Sequence, residues 1–447
     1  MEFDILPLLL CVAGSYFLIK LRFFFIAHPF RTAARALRSV RDKRAAKSFF
    51  LALAGTLGVG NVFGVALGLL IGGAGSLFWL LVSMIFAMVI KYAEIVITSD
   101  NLCHDTDTHG GFYYVLRSSF AHGGRVLSTL YAIVTLSLSL VMGAALQTDA
   151  VRETVAETSK ISPLHLAVAF TLLTLLSIAG GARRIEKITA FIIPLTTAIY
   201  IILTLGVILL NIQALPDALY RVMENAFSKE SMLGGGVGFL TSRALKEGFA
   251  RGLLSNEAGA GTSAIAHARS GVLSPSSAGL LGILEVWFDT GLVCMLTGIS
   301  ILLSVDDLSR FNTGMQLVMY AVGNRFGEAG KSAVLFSVFA FAFATVICWY
   351  YYGSESWCAL FGRRARLVFL PVFLLATFLG CFCDSIHLVT VTDLLMSLAT
   401  ALTLCALIKN SDRVRALSES GGVIDDKGLL RHFKLKGGVF LKGERRP

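Results

Sequence analysis

Long apolar runs separated by short polar segments dominate the chain. A helix rises about 1.5 Å per residue, so about 20 apolar residues cross the roughly 30 Å hydrocarbon core of a bilayer. Eleven runs reach this length with loose edges, and we interpret each as a transmembrane helix. They cover residues 5–26, 48–70, 74–98, 126–150, 163–180, 186–211, 233–268, 276–304, 331–352, 365–382 and 386–408.

Glycines interrupt two of these runs in their middle. The second run reads GTLGVGN over residues 55–61, and the seventh reads GLLSNEAGAG over residues 252–261. Glycine weakens a helix and frees backbone amides and carbonyls, which lipid tolerates only where protein or a water-filled cavity covers them. One broken span in each half of a membrane protein is typical of a transporter's central binding site.

Composition supports a polytopic membrane protein. The 447-residue chain is 55% hydrophobic and 15% charged, whereas soluble domains carry about 25% charged residues. Its net charge of +10 lies in the loops between apolar runs, so we expect a lipid bilayer and no nucleic acid as its partner. The eight cysteines follow no metal-ligand spacing.

Lysine and arginine are distributed unevenly between alternate loops. The loop after the first run holds seven of them, within residues 31–47. If this loop is cytoplasmic, the segments on its side carry 26 basic residues and those on the other side carry 7. Because basic residues accumulate on the cytoplasmic side, we expect a multi-pass protein of a bacterial-type inner membrane, with its N-terminus outside and its C-terminus cytoplasmic.

The eleven predicted helices divide into one helix and two sets of five. An odd number of helices per set inverts the second set relative to the first, and a broken helix leads each set. This 5+5 inverted repeat with two discontinuous helices is an all-α transporter layout. The predicted segments are an N-terminal helix and basic loop (1–47), a first repeat (48–211), a second repeat (212–408) and a basic cytoplasmic tail (409–447).

Seven sequence blocks occur in order between residues 57 and 353. They are LGVGNVFGV (57–65), GGAGSLFW (72–79), KYAE (91–94), RGLLSNEAG (251–259), AIAHA (264–268), FDT (288–290) and FAF through WYYYG (341–353). Together they closely resemble the alanine/glycine:cation symporter family. The resemblance implies a leucine-transporter-type fold of five plus five helices and sodium-driven uptake of small amino acids such as alanine or glycine.

The chain departs from that family at several positions. Prolines of the family are missing at or beside Ala74, Phe112 and Ala264. The family pattern G-N-x-x-Q-x-N spans residues 143–149 here, where Gln147 is retained and both asparagines are replaced, the second by an aspartate. These departures leave open whether this chain carries the family's substrate and ion.

An amino acid is a zwitterion, so its site needs groups of both signs. Freed amides near Gly58 and Gly60 suit the carboxylate, as helix N-termini bind anions. Freed carbonyls around Thr56 and Ser255 suit the ammonium group, and side chains of neighbouring helices cap the cavity. The predicted substrate-binding residues are Thr56, Gly58, Gly60, Asn61, Gln147, Ser255, Asn256, Gly259 and Trp349.

The resemblance also implies a sodium site at the first break. Sodium, like other hard cations, prefers oxygen ligands. The backbone carbonyls of Ala54 and Leu57 and the hydroxyl of Thr345 match the fold's common sodium site when the breaks are aligned. Sodium is therefore the expected coupling ion, and we expect no other cofactor.

Acidic residues inside the predicted eighth helix leave two interpretations open. Glu285 and Asp289 are four residues apart and share a helix face, where charges near the middle of a bilayer are costly and usually functional. They form either a structural ion pair with Arg243, Lys246 or Arg251 or a proton or ion site.

Other charged positions are ambiguous as well. Glu257, at the second break, either hydrogen-bonds exposed amides as a structural carboxylate or contacts ion or substrate directly. Asp149, near an outer helix end, is either a solvated residue or a cation ligand. Lys91 and Glu94, near the inner end of the third helix, are expected to reach the interface as a snorkelling pair.

We therefore predict a sodium-coupled symporter of small neutral amino acids that works by alternating access. An enzyme is not expected, because the sequence has no nucleophile motif, metal cluster or phosphate loop. One alternative is proton-coupled symport on the same scaffold, through Asp149 or through Glu285 and Asp289. Another is a non-transporting amino-acid sensor, for which a tail of roughly 39 residues is too short to fold as an output domain.

Overall fold

The computed structural model of the chain describes residues 5–104, 111–227, 242–268 and 274–424, and within these ranges the regular structure is helical, without a strand. Among these residues six helices are long and apolar enough to cross a membrane, or seven if a bent pair is counted as one span. The all-α polytopic fold is confirmed. The number of eleven spans stays a prediction, because several helices are shorter than the about 20 residues that a full span needs.

The helices are labelled here in chain order, with the bounds that the structure gives them. They are α1 (Ile5–Lys20), α2 (Phe24–Ala27), α3 (Pro29–Ser39), α4 (Lys43–Thr56), α5 (Phe63–Gly72), α6 (Ser76–His104), α7 (Phe112–Ser119), α8 (Gly124–Ala156), α9 (Pro163–Ile178), α10 (Gly181–Leu210), α11 (Leu215–Ala226), α12 (Arg243–Asn256), α13 (Ser263–His267), α14 (Pro275–Ser304), α15 (Gly314–Phe361), α16 (Arg366–Gly380), α17 (Ser385–Lys409) and α18 (Ser411–Ser420).

The first predicted break separates α4 from α5. A single 3₁₀ turn, Val59–Asn61, joins the two helices, whose axes bend by 58° at this point. Gly58 lets Thr345 and Gln147 pack closely against this bend, because a Cβ there would lie 2.8 Å from Thr345 Oγ1 and 2.9 Å from Gln147 Oε1. The second run is therefore a discontinuous helix, as its glycines predicted.

The second predicted break separates α12 from α13. Glu257 follows α12 in the left-handed region with a φ of 54°, and Gly259 and Gly261 have φ values of 90° and 73°. Left-handed backbone cannot continue a right-handed helix, so α12 ends here and α13 begins only at Ser263. Residues 233–241 and 269–273, which belong to or follow the predicted seventh run, lie outside the described residues.

Glycines also bring α6 close to the second broken helix and to α14. A Cβ at Gly248 of α12 would lie 2.5 Å from Trp79 Cβ, and one at Gly279 of α14 would lie 2.8 Å from Tyr92 Cδ2. Close helix approach at small residues is a common way to pack helices in a membrane. It places the charged inner half of α6 beside the second break.

Two helices contain a π-helical segment next to predicted site residues. In α8 the segment is Val141–Ala145, directly before Gln147, and in α14 it is Trp287–Cys294, which contains Asp289. The extra residue in a π turn changes the face on which later side chains point, and such turns are frequent at functional sites.

The last described helix, α18, lies against the segments predicted to face the cytoplasm. Ser418 accepts a hydrogen bond from the Tyr92 hydroxyl at 2.8 Å, and Arg35 of α3 donates to the carbonyls of Gly421 and Gly422 at 2.7 and 2.6 Å. The predicted tail 409–447 therefore begins as a docked helix, while residues 425–447 lie outside the described residues.

Candidate functional site

The two broken helices meet inside the protein. A Cβ on Gly60 would lie 3.3 Å from the carbonyl oxygen of Leu254, and the Asn61 amide donates a 2.8 Å hydrogen bond to the Ser255 hydroxyl. All fifteen residues proposed from the sequence as substrate ligands, sodium ligands or intramembrane acids are buried. Both breaks therefore contribute to one water-excluded region.

The three predicted sodium ligands lie together at the C-terminal end of α4. The Thr345 hydroxyl of α15 lies 2.8 Å from the carbonyl oxygen of Ala54 and 3.5 Å from that of Leu57. These carbonyls belong to the last turn before the break. The carbonyls of a last helical turn have no helical amides after them to accept hydrogen bonds from. The arrangement supplies three neutral oxygens of the kind that hard cations prefer.

Gln147 and Trp349 cover the first break from neighbouring helices. The Gln147 Oε1 atom accepts a hydrogen bond from the Val59 amide at 3.1 Å, and the Trp349 indole donates to the Gly55 carbonyl at 3.3 Å. The hydroxyl of Thr56 instead lies 3.4 Å from the Ala52 carbonyl of its own helix. The break is thus held by neutral amide and indole groups.

A polar group that we name the central cluster joins both breaks to α14. It consists of Asn61, Ser255, Asn256, Asp289 and Thr290. The Asp289 carboxylate accepts hydrogen bonds from Asn61 at 2.6 Å, Ser255 at 2.5 Å and Thr290 at 2.9 Å. Within the described ranges no lysine, arginine or histidine forms an ion pair with Asp289, so only neutral donors surround this buried acid.

Glu285 differs from Asp289, because it is paired with a cation. The Lys91 ammonium of α6 lies 3.0 Å from Glu285 Oε1, and both side chains are fully buried. His267 lies 3.2 Å from the other oxygen, and the Ser263 hydroxyl donates at 2.9 Å. The structural ion-pair interpretation therefore fits Glu285, but with a lysine of α6 as its partner.

Arg251, one of the partners expected for these acids, pairs elsewhere. Its guanidinium lies 3.1 Å from Glu247 on the same helix and 2.8 Å from Asp393 of α17. The expectation that it neutralises Glu285 or Asp289 was wrong, because its side chain lies on the α17 side of α12.

Lys91 and Glu94 bind the backbone of the second break instead of reaching the interface. Lys91 donates a 2.5 Å hydrogen bond to the Asn256 carbonyl, and Glu94 accepts one from the Gly261 amide at 2.9 Å. Both residues have 0% exposure, so the predicted snorkelling pair was wrong. We name Lys91, Glu94, Glu257, His267 and Glu285 the charged cluster.

Further contacts at the second break link these two clusters. Asn256 donates to Thr290 at 3.1 Å and accepts from the Ala258 amide at 3.0 Å, while Glu257 accepts from the Thr262 hydroxyl at 2.5 Å. Gly259 lies against Thr400 of α17. These contacts order the chain between α12 and α13.

Asp149 is neither solvated nor close to a free surface. It has 0% exposure, pairs with Arg152 at 2.5 Å and accepts a hydrogen bond from Ser385 of α17 at 2.6 Å. The solvated interpretation was wrong, because α17 packs over this end of α8. The ion pair leaves Asp149 with a structural role in this conformation.

Sequence reasoning missed that α6 and the first half of α8 contact the second break. Besides Lys91 and Glu94, the Tyr131 hydroxyl of α8 donates to the Ala260 carbonyl at 2.6 Å. The signal for Lys91 and Glu94 was present, since two charged residues interrupt the apolar run 74–98. Charged residues at such depth usually face the protein interior.

Two further observations limit the kind of site. No set of three or more histidine, cysteine, aspartate or glutamate residues in the described part of the chain is arranged to hold a metal ion. A depression of about 980 Å³ opens between α5, α11 and the end of α14, but none of the predicted ligands lines it. The candidate site is therefore the buried region between the breaks.

Comparison with known proteins finds relatives over most of the chain. The profile of the sodium:alanine symporter family matches residues 1–419. An uncharacterized transporter of Haemophilus influenzae is 30% identical over 413 residues, which cover 90% of each chain. The amino-acid carrier protein AlsT of Bacillus subtilis is 30% identical over 77% of this chain and 73% of its own length. The sodium/alanine symporter AgcS of Methanococcus maripaludis is 30% identical over 75% and 74%.

Proposed function

The chain belongs to the sodium:alanine symporter family, whose members are multi-pass membrane transporters that couple amino-acid symport to a cation, and from this premise we propose a more specific function. The protein is a sodium-coupled symporter of small neutral amino acids, alanine and glycine in particular, and works by alternating access. The relatives named sodium/alanine symporter and amino-acid carrier favour this substrate class.

The observation that carries the proposal is the oxygen group at the first break. The carbonyls of Ala54 and Leu57 converge on the Thr345 hydroxyl, and all three of these oxygens are neutral. A sodium ion bound there would replace the hydroxyl-to-carbonyl hydrogen bonds with ion–oxygen contacts. It would also hold α15 against α4, which links the ion to the shape of the break.

The central cluster supplies the complement for the substrate. Asp289 is a buried acid without a cationic partner in the described residues, and an ammonium group would neutralise it. The amides of Gly58 and Val59, which here donate to the Thr56 carbonyl and to Gln147 Oε1, would exchange these neutral partners for the carboxylate. The space at Gly58 is too small for a large substrate side chain, since even a Cβ on Gly58 would lie 2.8 Å from Thr345 Oγ1. A small amino acid fits these limits.

Alternating access would use the breaks as pivots. Each broken helix ends midway, so one half can tilt while the other stays packed, and the bound ion and substrate bridge both halves. The inverted 5+5 repeat, the N-terminus outside and the cytoplasmic C-terminus belong to the same proposal. The 26 to 7 distribution of basic residues supports this orientation.

The driving force for such a cycle is sufficient with one sodium ion. Moving one charge down a potential of 100 mV releases about 2.3 kcal/mol. A tenfold sodium gradient adds about 1.4 kcal/mol, and the two together support roughly 500-fold accumulation of substrate.

Proton coupling is the second candidate, because Asp289 lies at the centre of the site with neutral partners only. A proton there would neutralise the carboxylate as an ammonium or sodium ion would. In this version the first break carries no ion, and a pH gradient alone drives uptake.

Uptake of labelled alanine into proteoliposomes tests the proposal. An inward sodium gradient is expected to drive transient accumulation, and replacing sodium with potassium is expected to reduce uptake to that of empty liposomes. Unlabelled glycine should compete, while phenylalanine should not. Uptake driven by an inward pH gradient without sodium would favour proton coupling, and uptake of neither kind would reject the proposal.

A further inference from the structure

The charged cluster lies beside the proposed substrate site, and none of its residues binds sodium or amino acid in the proposed function. Lys91, Glu94 and Glu285 have 0% exposure, and Glu257 and His267 have 1%. Three carboxylates thus share one lysine ammonium in a region from which water is excluded. A buried charge without compensation costs several kcal/mol even after relaxation, so the partners of each carboxylate decide how it is neutralised.

Two of the three carboxylates have a cation or a backbone amide as a partner. Glu285 contacts Lys91 at 3.0 Å, His267 at 3.2 Å and the Ser263 hydroxyl at 2.9 Å. Glu94 Oε1 accepts the Gly261 amide at 2.9 Å, and a backbone amide stabilises a carboxylate as a charge-assisted donor. Its Oε2 atom is buried without a hydrogen-bond partner within the described residues, so Glu94 is compensated only in part.

Glu257 is the carboxylate without such compensation. Its Oε2 atom accepts the Thr262 hydroxyl at 2.5 Å, and its Oε1 atom is buried without a hydrogen-bond partner within the described residues. No lysine, arginine or histidine of these residues forms an ion pair with it. The Thr262 hydroxyl suits two protonation states, because it can donate to a carboxylate and accept from a carboxylic acid.

A proton fits this position better than a metal ion. The described residues contain no group of three acidic, histidine or cysteine ligands with metal geometry. A proton needs no coordination shell and removes the uncompensated charge. The ionisable groups that face Glu257 are Lys91 and Glu94 of α6, Tyr131 of α8, His267 of α13, Glu285 and Asp289 of α14, and Cys348 and Tyr352 of α15.

The position of Glu257 couples this proton to the proposed transport cycle. Glu257 is the first residue of the second break and adopts a left-handed backbone with a φ of 54°. Any tilt of α12 relative to α13 must move it. Tyr352, which interacts electrostatically with Glu257, also lies beside Gly55, where a Cβ would be 2.9 Å from its hydroxyl. Both breaks therefore adjoin the Glu257 environment.

We propose that Glu257 is a proton-binding residue that holds a proton while the second break is closed and exchanges it when the break opens. The Glu257 carboxylate takes up the proton to form a carboxylic acid and returns it to water, and no other bond changes. The inference rests on the proposed symport and adds proton movement that accompanies sodium and amino acid. Glu285, which is paired with Lys91, stays ionised and anchors the break.

Proteoliposomes loaded with a pH-sensitive dye test the proposal. Membrane potential is clamped with potassium and valinomycin, so that sodium entry does not drag protons through the lipid. Addition of alanine with sodium is expected to acidify the vesicle interior by about one proton per alanine taken up, because one carboxyl group carries one proton. This acidification is the proton signal. Labelled-alanine uptake is recorded on the same vesicles.

The Glu257→Gln variant is expected to keep alanine counterflow and lose the proton signal. Glu328→Gln is the matched control, because Glu328 is 83% exposed and pairs only with Lys331 in the described structure; it should match the wild type. If Glu257→Gln does not fold, Glu257→Asp keeps an ionisable group and should keep the proton signal with a shifted pH dependence.

Two results would overturn the proposal: wild-type protein that transports alanine with no accompanying proton movement, or a Glu257→Gln protein with the wild-type proton-to-alanine ratio. The tracer measurement keeps this test separate from that of sodium coupling. A proton signal that persists while alanine uptake is independent of sodium contradicts the proposed coupling ion and supports the proton site.

Discussion

The first and second breaks interrupt their helices in similar ways, but different chemistry holds their free backbone groups. At the first break, carbonyls and amides meet the neutral side chains of Gln147, Thr345 and Trp349. At the second break, the Asn256 carbonyl meets the Lys91 ammonium and the Gly261 amide meets the Glu94 carboxylate. One break therefore lacks charged partners, and the other is tied to α6 by them.

This difference indicates which break exchanges ligands. A neutral hydrogen bond contributes about 0.5–1.5 kcal/mol net, which a bound ion or substrate can replace. A bond to a charged group contributes about 1.5–3 kcal/mol, and removing one partner of a buried ion pair costs about 3–5 kcal/mol. We therefore assign the exchange of sodium and amino acid to the first break and anchoring to the second, where the proposed exchange at Glu257 involves only a proton.

The largest expected effect comes from removing the anchor. Lys91→Met leaves Glu285 buried without its ammonium, so we expect a loss of about 3–5 kcal/mol in stability. Thermal unfolding in detergent measures it as a lowered Tm. Lys331→Met is the control, since its pair with Glu328 is at the surface and contributes about 0–1 kcal/mol. Equal Tm values for the two variants would show that the second break is not anchored by charge.

The second largest effect is expected at the central cluster that joins the breaks. Asp289→Asn keeps the side-chain shape and removes the charge proposed to meet the substrate ammonium. Loss of a charged hydrogen bond costs about 1.5–3 kcal/mol, or roughly 10- to 150-fold in the KM for alanine. Asp307→Asn, in the exposed segment that follows α14, serves as control. An unchanged KM in Asp289→Asn would remove this residue from the substrate site.

An intermediate effect is expected at the oxygen group of the first break. Thr345→Ala removes one of three proposed sodium ligands, which should raise the sodium concentration for half-maximal uptake about tenfold, or about 1.4 kcal/mol. Thr345→Ser keeps the hydroxyl and should restore the sodium dependence. A sodium requirement that is the same in all three proteins would place the coupling ion elsewhere.

The smallest effect is expected for the indole that covers the first break. Trp349→Phe removes the hydrogen bond to the Gly55 carbonyl and should weaken alanine transport about fivefold, consistent with about 1 kcal/mol. Trp357→Phe is a matched control, because its indole also donates to a backbone carbonyl, that of Ala365, at the far end of α15. Similar losses in both variants would mean that Trp349 acts only through helix packing.

The sequence revealed the breaks because glycine acts on the backbone locally. Gly58 and Gly259 mark positions where a side chain would collide or where φ is positive, and such requirements are visible one residue at a time. The resemblance to a known family then placed Thr345 opposite Ala54 and Leu57, and the structure brings these three residues together.

The partners of buried charges were not predictable in the same way. An apolar run shows that a helix spans the membrane, but not which face it turns toward its neighbours. Lys91 was expected at the interface and Asp149 in solvent, although α14 buries the first and α17 the second. Helix rotation and packing decide these contacts, and both depend on residues far apart in the chain.

The assignment of ligand exchange to the first break is tested most directly by an experimental structure of the protein with sodium and alanine in a lipid nanodisc. We expect ion density in contact with the Ala54 and Leu57 carbonyls and the Thr345 hydroxyl, and alanine density between the first break and Asp289. Alanine bound in the depression beside α11, with the oxygen group at the first break unoccupied, would contradict the account.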